Sequence, residues 1–150
     1  MSFALAPLHT APALPVEGAW QPVCIARLHY HVSWSARGKA SVLTDARAQA
    51  LREILDSICR ERGVRLQALA ITPRQVHLVL SLRPSQLVAA IVRELKGRSA
   101  IELFRRCPDL RVALGGHLAW NDRYALATVS QGQVNRLAAR LVEFESAVAT

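Results

Sequence analysis

The chain has 150 residues, of which 51% are hydrophobic, so it is long enough for one compact domain with a buried core and short for two. Nineteen basic residues against 11 acidic ones give a formal net charge of +8, which indicates a polyanionic partner; composition alone does not distinguish nucleic acid from an acidic membrane or protein surface. Arginine supplies nearly all of this charge, since Lys39 and Lys96 are the two lysines. A genome rich in arginine codons would produce the same bias.

The N-terminal residues and the cysteines bear on localisation. Residues 1–20 are rich in alanine and proline and contain no lysine or arginine, so we predict an arm or extension, followed by a single domain over residues 21–150. No stretch approaches 18 continuous apolar residues, which argues against a membrane-spanning helix. Three widely spaced cysteines without a CxxC motif indicate small apolar residues of a cytoplasmic protein. They are Cys24, Cys59 and Cys107.

The first half of the chain predicts three strands and a helix. Residues 23–34 alternate between apolar and polar side chains, as expected of a first strand. After a basic loop, Thr44 can cap a helix that ends near Gly63, because its apolar residues follow a helical stripe. Residues 64–71 and 76–81 then alternate on either side of a turn at Pro73, which predicts two further strands.

The second half predicts two helical regions separated by a strand. Ser85 can cap a helix that Gly97 interrupts, and a capping box at Ser99 predicts a further helical segment through Arg106. Residues 117–129 are interpreted as a fourth strand or extended passage, and a capping box at Ser130 begins a last helix. The order β-α-β-β-α-β-α predicts an α+β fold with a ferredoxin-like antiparallel sheet and helices on one face.

Four short segments in this order resemble the HUH single-tyrosine transposases, the small insertion-sequence transposases and their REP-associated relatives. The sequence YHVSW at residues 30–34 resembles the family's first strand, and TPRQVHL at residues 72–78 resembles the segment that gives the family its name. The sequence LKGRS at residues 95–99 resembles a turn in the central helix, and Trp120 with Tyr124 resembles an aromatic pair of the last strand. The resemblance covers roughly residues 22 to 146.

This resemblance implies a protein of DNA transposition that binds single-stranded or hairpin DNA as a homodimer. In the family, two histidines on one strand hold a divalent ion, and a tyrosine on the last helix attacks the DNA phosphorus. Histidines one residue apart project from the same strand face, so both can reach one ion. That ion would polarise the scissile phosphate, and the tyrosine would store the phosphoester as a covalent intermediate.

The sequence departs from the family at the metal ligands. Gln75 occupies the place of the first histidine, so that His77 alone remains, and Arg74 replaces the acidic residue that usually precedes the pair. An amide oxygen is a weak ligand for Mg²⁺ or Mn²⁺, so we expect weak metal binding or none. A lone strand histidine is also compatible with a half-buried side chain that has a hydrogen-bond partner.

The sequence departs further at the nucleophile. Leu137 stands where the resemblance places the tyrosine, and Leu141 stands where it places a further ligand, a glutamine. Both leucines fit ordinary core positions of an amphipathic helix. The two tyrosines of the chain are Tyr30, in the first strand, and Tyr124, which is a weak candidate for a replacement nucleophile because it matches a noncatalytic tyrosine of the family.

DNA binding depends on charge and stacking more than on a metal. The candidate phosphate contacts lie in the first loop and around the central turn; they are Arg37, Lys39, Arg93, Lys96 and Arg98. Trp34, Trp120 and Tyr124 can stack on bases or fill the core.

Three hypotheses follow from the sequence. The chain is a DNA-binding transposase relative with strand cleavage lost or impaired, an active nickase with a non-standard nucleophile, or a ferredoxin-like interaction module without a DNA role.

Overall fold

The computed structural model describes residues 27–116 and 119–149. The predicted arm over residues 1–20, the first residues of the predicted first strand and His117 therefore lie outside the described residues. The described strands are β1 (Leu28–Ser35), β2 (Arg65–Ile71), β3 (Gln75–Leu82) and β4 (Ala125–Val129). The described helices are α1 (Asp45–Arg62), α2 (Val88–Arg106), α3 (Pro108–Ala113) and α4 (Val134–Ala149). None of these helices has the length and apolar character needed to cross a bilayer.

The four strands form one antiparallel sheet in the order β2-β3-β1-β4. This order places β1 and β2 on either side of β3 with α1 as the crossover, which is the arrangement of a ferredoxin-like fold. The predicted α+β class and antiparallel sheet are confirmed.

The two faces of the sheet differ in chemistry because side chains alternate along each strand. On the core face, the side chains of β1 and β3 pack beneath α1 and α2; they include Val32, Trp34, Val76, Leu78, Leu80 and Leu82. The opposite face, which we call the histidine face, carries His31, Ser33, Gln75, His77 and Val79. The sheet thus separates the main hydrophobic core from a polar surface.

The prediction of helices on one face is right for α1 and α2 and wrong for α4. The last helix packs on the histidine face, where its Val134 and Leu141 form a second buried cluster with Ala70 of β2 and Val79 of β3. The physical reason is that Ala70 and Val79 are apolar side chains on this face, so this part of the sheet also requires cover. Because α4 lies over β2 and β3, it leaves the histidine face over β1 and β4 more open.

Several element boundaries differ from the predicted ones. Helix α1 ends as predicted at Gly63, whose φ of 67° is the left-handed conformation that favours glycine. Helix α2 begins at Val88 and runs unbroken through Gly97, because tertiary packing of the residues around it outweighs the weak helix preference of one glycine. The fourth strand is shorter than predicted, since residues 121–124 form a loop before β4.

A carboxylate fixes α4 to the edge of the sheet. One carboxylate oxygen of Glu145 accepts hydrogen bonds from the backbone N–H of Ile71 at 2.6 Å and from the Arg52 guanidinium at 2.8 Å. We expect Glu145→Ala to lower the free energy of unfolding by about 2 kcal/mol, because a charged acceptor is lost and the Ile71 N–H is left unpaired. This expected loss is modest for a charged acceptor because the two side chains of the ion pair are about one third exposed, so that water screens their interaction.

Urea denaturation measures this change, and Glu143→Ala is the matched control on the same helix. The Glu143 side chain is exposed and makes no ion pair among the described residues, so its loss is expected to change stability by less than about 0.5 kcal/mol. Equal effects of the two variants would show that Glu145 does not dock α4.

Candidate nucleic-acid interface

Three side chains of the histidine face form a hydrogen-bonded row. The His77 Nε2 lies 3.0 Å from the Gln75 Oε1, and the His77 Nδ1 lies 3.2 Å from the Nε2 of His31 on the adjacent strand. Because the amide oxygen can only accept, the His77 Nε2 donates to it, which leaves Nδ1 to accept from His31. The ring of Phe144, from α4, meets the His77 ring edge-on at 5.3 Å between centroids. His77 is thus held on three sides.

Burial makes the two histidines of this row weak bases. Desolvation lowers the pKa of His31 below its ordinary value. Desolvation also lowers the pKa of His77, and the nearby His31 lowers it further because positive charges on the two rings would repel each other. Both imidazoles are therefore neutral at pH 7.

The residues of this row do not fit Mg²⁺ or Mn²⁺. Both ring nitrogens of His77 are engaged in hydrogen bonds, one with the amide oxygen of Gln75 and one with His31, so neither residue offers a free ligand atom beside the other. Within residues 27–116 and 119–149, no three His, Cys, Asp or Glu side chains come close enough to hold a metal ion. Gln75 and His77, the predicted weak ligands, are brought together by the fold, but as hydrogen-bond partners of each other.

The lowered pKa values predict a pH-dependent stability. The unfolded histidines bind protons near pH 6.5, whereas folded His31 and His77 bind them only at lower pH. The free energy of unfolding should therefore fall as the pH drops below about 6.5, because the unfolded state then holds more protons. Urea titrations at pH 7.5 and 5.5 measure this slope, which the double substitution His31→Gln and His77→Gln should reduce. An unchanged slope would contradict the assignment of the proton uptake to these two residues.

A second histidine network fixes the start of α4. The buried His29 lies with Nδ1 2.6 Å from the Ser81 hydroxyl and with Nε2 2.6 Å from the amide oxygen of Gln131. Gln131 belongs to the single 3-10 turn that precedes α4. Strands β1 and β3 thus position the last helix across the histidine face.

The last helix places Leu137 beside the histidine row. Leu137 lines a pocket of about 230 Å³ together with His31, and it packs against the second apolar cluster. Leu141, one turn later, is buried in that cluster. The position where the resemblance places a nucleophile therefore does face the histidine side, but it carries an aliphatic side chain.

A larger cleft of about 620 Å³ opens where β1 ends. It is lined by the ends of β1 and β3 and by the loop before β4, including Ser33, Lys39, Gln75, Arg123 and Tyr124. Asn121 holds this loop in place, because its side chain donates to the Ser35 hydroxyl at 2.6 Å and accepts from the Gly38 N–H at 3.0 Å.

Three aromatic residues were candidates for base stacking, and the structure separates them. Trp34 and Trp120 are 3% and 5% exposed and pack edge-to-face in the core, with ring centroids 5.9 Å apart. Tyr124 is 38% exposed and lines the cleft. Only Tyr124 of these three presents a ring that a base could reach.

The five predicted phosphate contacts lie in two places, the turn after β1 and helix α2. Arg37 and Lys39 lie in the turn after β1, and Lys39 lines the cleft. Arg93 is exposed on α2, the helix of the core face. Of these two places, only the turn with Arg37 and Lys39 adjoins the histidine face.

Lys96 and Arg98 have structural partners. The Lys96 ammonium donates to the backbone oxygens of Asn121 at 2.7 Å and Arg123 at 3.3 Å, so it supports the loop of the cleft. Desolvation lowers the pKa of this ammonium, and the charge of Asp122 partly offsets that effect. Arg98 forms ion pairs with Glu61 and Glu94 between α1 and α2.

The sequence interpretation missed several residues of this surface. Arg74 lines a smaller pocket beside Gln75, Arg123 lines the cleft, and two arginines of α4 line the pocket of His31. His31 was part of the first-strand segment but was not assigned to the site. The available signal was alternation, which puts His31 on the face of the sheet opposite to Val32.

Comparisons with known proteins agree with this fold. Residues 24–139 match the family model described as "Transposase IS200 like". The ISDra2 transposase TnpA of Deinococcus radiodurans is 34% identical over 118 residues, which are 79% of this chain and 84% of that protein. The IS200 transposase of Salmonella typhimurium is 22% identical over 102 residues, 68% of this chain and 67% of that protein.

Solved structures give the same result. A crystal structure of a putative transposase from Deinococcus radiodurans superposes with a TM-score of 0.66 at 33% identity and covers 81% of this chain and 92% of that one. A REP-associated tyrosine transposase bound to a REP hairpin superposes with a TM-score of 0.58 at 16% identity, covering 81% and 68% of the two chains. At this identity the second likeness supports the shared fold.

Proposed function

Since the chain belongs to the IS200-like transposase family, we propose that it binds hairpin-forming single-stranded DNA across the histidine face without cutting the strand. The observation that carries the proposal is the charge around this face. Its pockets are rimmed by five basic side chains that form no ion pair among the described residues: Lys39, Arg74, Arg123, Arg136 and Arg140. Unpaired cations around a polar surface suit a phosphate backbone.

One structural neighbour supports the choice of DNA. That protein, a REP-associated tyrosine transposase, is bound to a REP hairpin. In our chain the exposed ring of Tyr124 lies in the basic cleft beside Lys39 and Arg123. Such a combination of an aromatic face and nearby cations suits an unpaired base and its phosphate.

Loss of cleavage is supported by the chemistry of the side chains. Leu137 cannot act as a nucleophile, and His77 uses both ring nitrogens in contacts with Gln75 and His31. The DNA-binding charges do not depend on these positions. Binding can therefore persist where strand cleavage does not.

Salt-dependent binding tests the proposal against the hypothesis of an interaction module without a DNA role. A fluorescent DNA hairpin with single-stranded flanks should bind more tightly than heparin, an unrelated polyanion, and the logarithm of its affinity should fall linearly with that of salt. Equal affinity for the two, or no effect of salt, would reject a DNA-specific function.

A second candidate function is favoured by one observation. Tyr124 and Gln75 line the same cleft, so a residual nickase could use Tyr124 as its nucleophile with Gln75 and His77 nearby. In that case Tyr124→Phe would abolish a covalent DNA adduct while hairpin affinity stayed within about threefold, since the phenyl ring still stacks.

We also propose the homodimer that the family resemblance implies. Strand β4 is the last strand of the sheet, and no described strand pairs with its outer edge. Leu126 of this strand is 41% exposed. An open edge of this kind is a template for pairing with a second chain.

Light scattering tests the dimer with a charge placed on that edge. Leu126→Lys should convert a dimer into a monomer, because a lysine on an edge strand opposes edge-to-edge pairing. Leu87→Lys, at a side chain that is 74% exposed on another surface, is the control and should leave the mass unchanged. A dimer that persists in Leu126→Lys would place the interface elsewhere.

A further inference from the structure

We propose that Arg136 and Arg140 of α4 form a binding site for one phosphate group, in the pocket that also contains His31. The inference rests on the proposed DNA binding and extends it, because it assigns a particular pocket to a single phosphate. The pocket has a volume of about 230 Å³ and lies between α4 and the outer strand β4.

The lining of this pocket is suited to an anion. It offers the two guanidinium groups, the amide of Gln133 and the imidazole of His31. No aspartate or glutamate lines it. Guanidinium groups bind phosphate oxygens with paired N–H donors, and the amide can donate a further hydrogen bond.

The two arginines differ from most of the arginines on the helices. Seven of those form ion pairs with acidic side chains: Arg47, Arg52, Arg60, Arg62, Arg98, Arg105 and Arg106. In the described part of the chain, neither Arg136 nor Arg140 has an acidic partner within ion-pair distance. Their charges are available to a ligand.

The spacing of the two arginines places both charges next to each other on the same side of the helix. Residues four apart lie one above the other on a helix surface, and two like charges at this spacing destabilise the helix. An anion between the guanidinium groups removes this repulsion. The pocket below them supplies the space for such an anion.

The position of the pocket relative to the histidine row suggests its role. His31 belongs both to the pocket and to the row with His77, and Leu137 lies in the pocket wall between the two arginines along the helix. A phosphate held by the arginines would therefore lie where the family resemblance places cleavage chemistry. Two fixed cationic side chains would hold it there without a metal ion.

The test compares Arg136→Gln/Arg140→Gln with Arg65→Gln/Arg83→Gln, which removes two exposed arginines that also lack an ion pair in the described structure and lie toward the opposite edge of the sheet. The pocket variant should lose about 10- to 100-fold in affinity for the DNA hairpin, and its slope of log affinity against log salt should decrease in magnitude by about 0.7, for one phosphate contact on a single strand. The control should lose less than about threefold. Equal losses in the two variants would overturn the site.

A scan with single methylphosphonate linkages identifies the phosphate. In the unmodified protein one uncharged linkage should weaken binding most, and this position should lose its effect in the pocket variant. Hairpins with and without a 5′ phosphate distinguish an end phosphate from an internal one. A pattern that is identical in the two proteins would contradict the site.

Inorganic phosphate alone separates failure of this inference from failure of the proposed function. If the protein does not bind hairpin DNA above the heparin control, the proposed function fails. A rise in melting temperature with phosphate, present in the unmodified protein and absent in the pocket variant, would still support the site. Without such a difference the site fails as well.

Discussion

Gln75→His combined with Leu137→Tyr is expected to give this chain a DNA-cleaving activity that the unmodified protein lacks. The first substitution places two imidazoles one residue apart on β3, which is the spacing that allows both to reach one metal ion. The second places a phenol in the pocket that His31 lines. Because neither replaced side chain is fully buried, the fold should accept both changes.

The measurement is a denaturing gel of labelled hairpin DNA after incubation with protein and Mn²⁺. The double variant should form a protein–DNA adduct that resists denaturation, since a phosphotyrosine bond is covalent. Gln75→His with Leu137→Phe is the matched control, because it has the same ring and lacks the hydroxyl. An adduct in this control, or none in the double variant at a concentration that saturates the DNA, would contradict the assignment of residue 137.

Leu80→Ala is expected to have the largest effect on stability, a loss of about 3–5 kcal/mol in the free energy of unfolding. Leu80 has no exposed surface and lies in the core cluster on β3, between neighbours on both adjacent strands. Removing its isobutyl group leaves a cavity that the surrounding sheet and helices cannot fill. A loss of this size is a large share of the stability of a small domain.

Chemical denaturation of Leu80→Ala and Leu87→Ala gives the comparison. Leu87 is 74% exposed, so the same chemical change there should cost less than about 0.5 kcal/mol. If the two variants lose similar amounts, the core face of the sheet is not packed as described.

The sequence predicts the strands and helices well because their periodicity is strong. The stripe of α1 and its left-handed Gly63 are local signals, and the structure agrees with both. The side of the sheet that α4 covers was predicted wrongly, although β3 contains a signal. Val79 is apolar on the face opposite to Leu78 and Leu80, and all three are fully buried, which indicates cover on both sides.

The candidate site was harder to predict because ion pairing joins distant parts of the chain. Arg98 pairs with Glu61, 37 residues away, whereas Arg136 and Arg140 have no acidic partner in the described structure. Of the basic residues around positions 93–98, Arg98 is therefore neutralised by ion pairs, Lys96 is bonded to backbone oxygens, and Arg93 is exposed on the core-side helix α2. The sequence did not predict Arg136 and Arg140 as binding residues, because the apolar stripe of α4 is sufficient to account for the helix.

The most direct measurement of the central claim combines binding and cleavage in one experiment on the unmodified protein. Labelled hairpin DNA is incubated with saturating protein and Mn²⁺, and the same sample is analysed on native and denaturing gels. We predict a complex on the native gel that weakens as salt rises, and no covalent adduct or shortened strand on the denaturing gel. A metal-dependent adduct or nick would contradict the account of a transposase relative that binds DNA without cutting it.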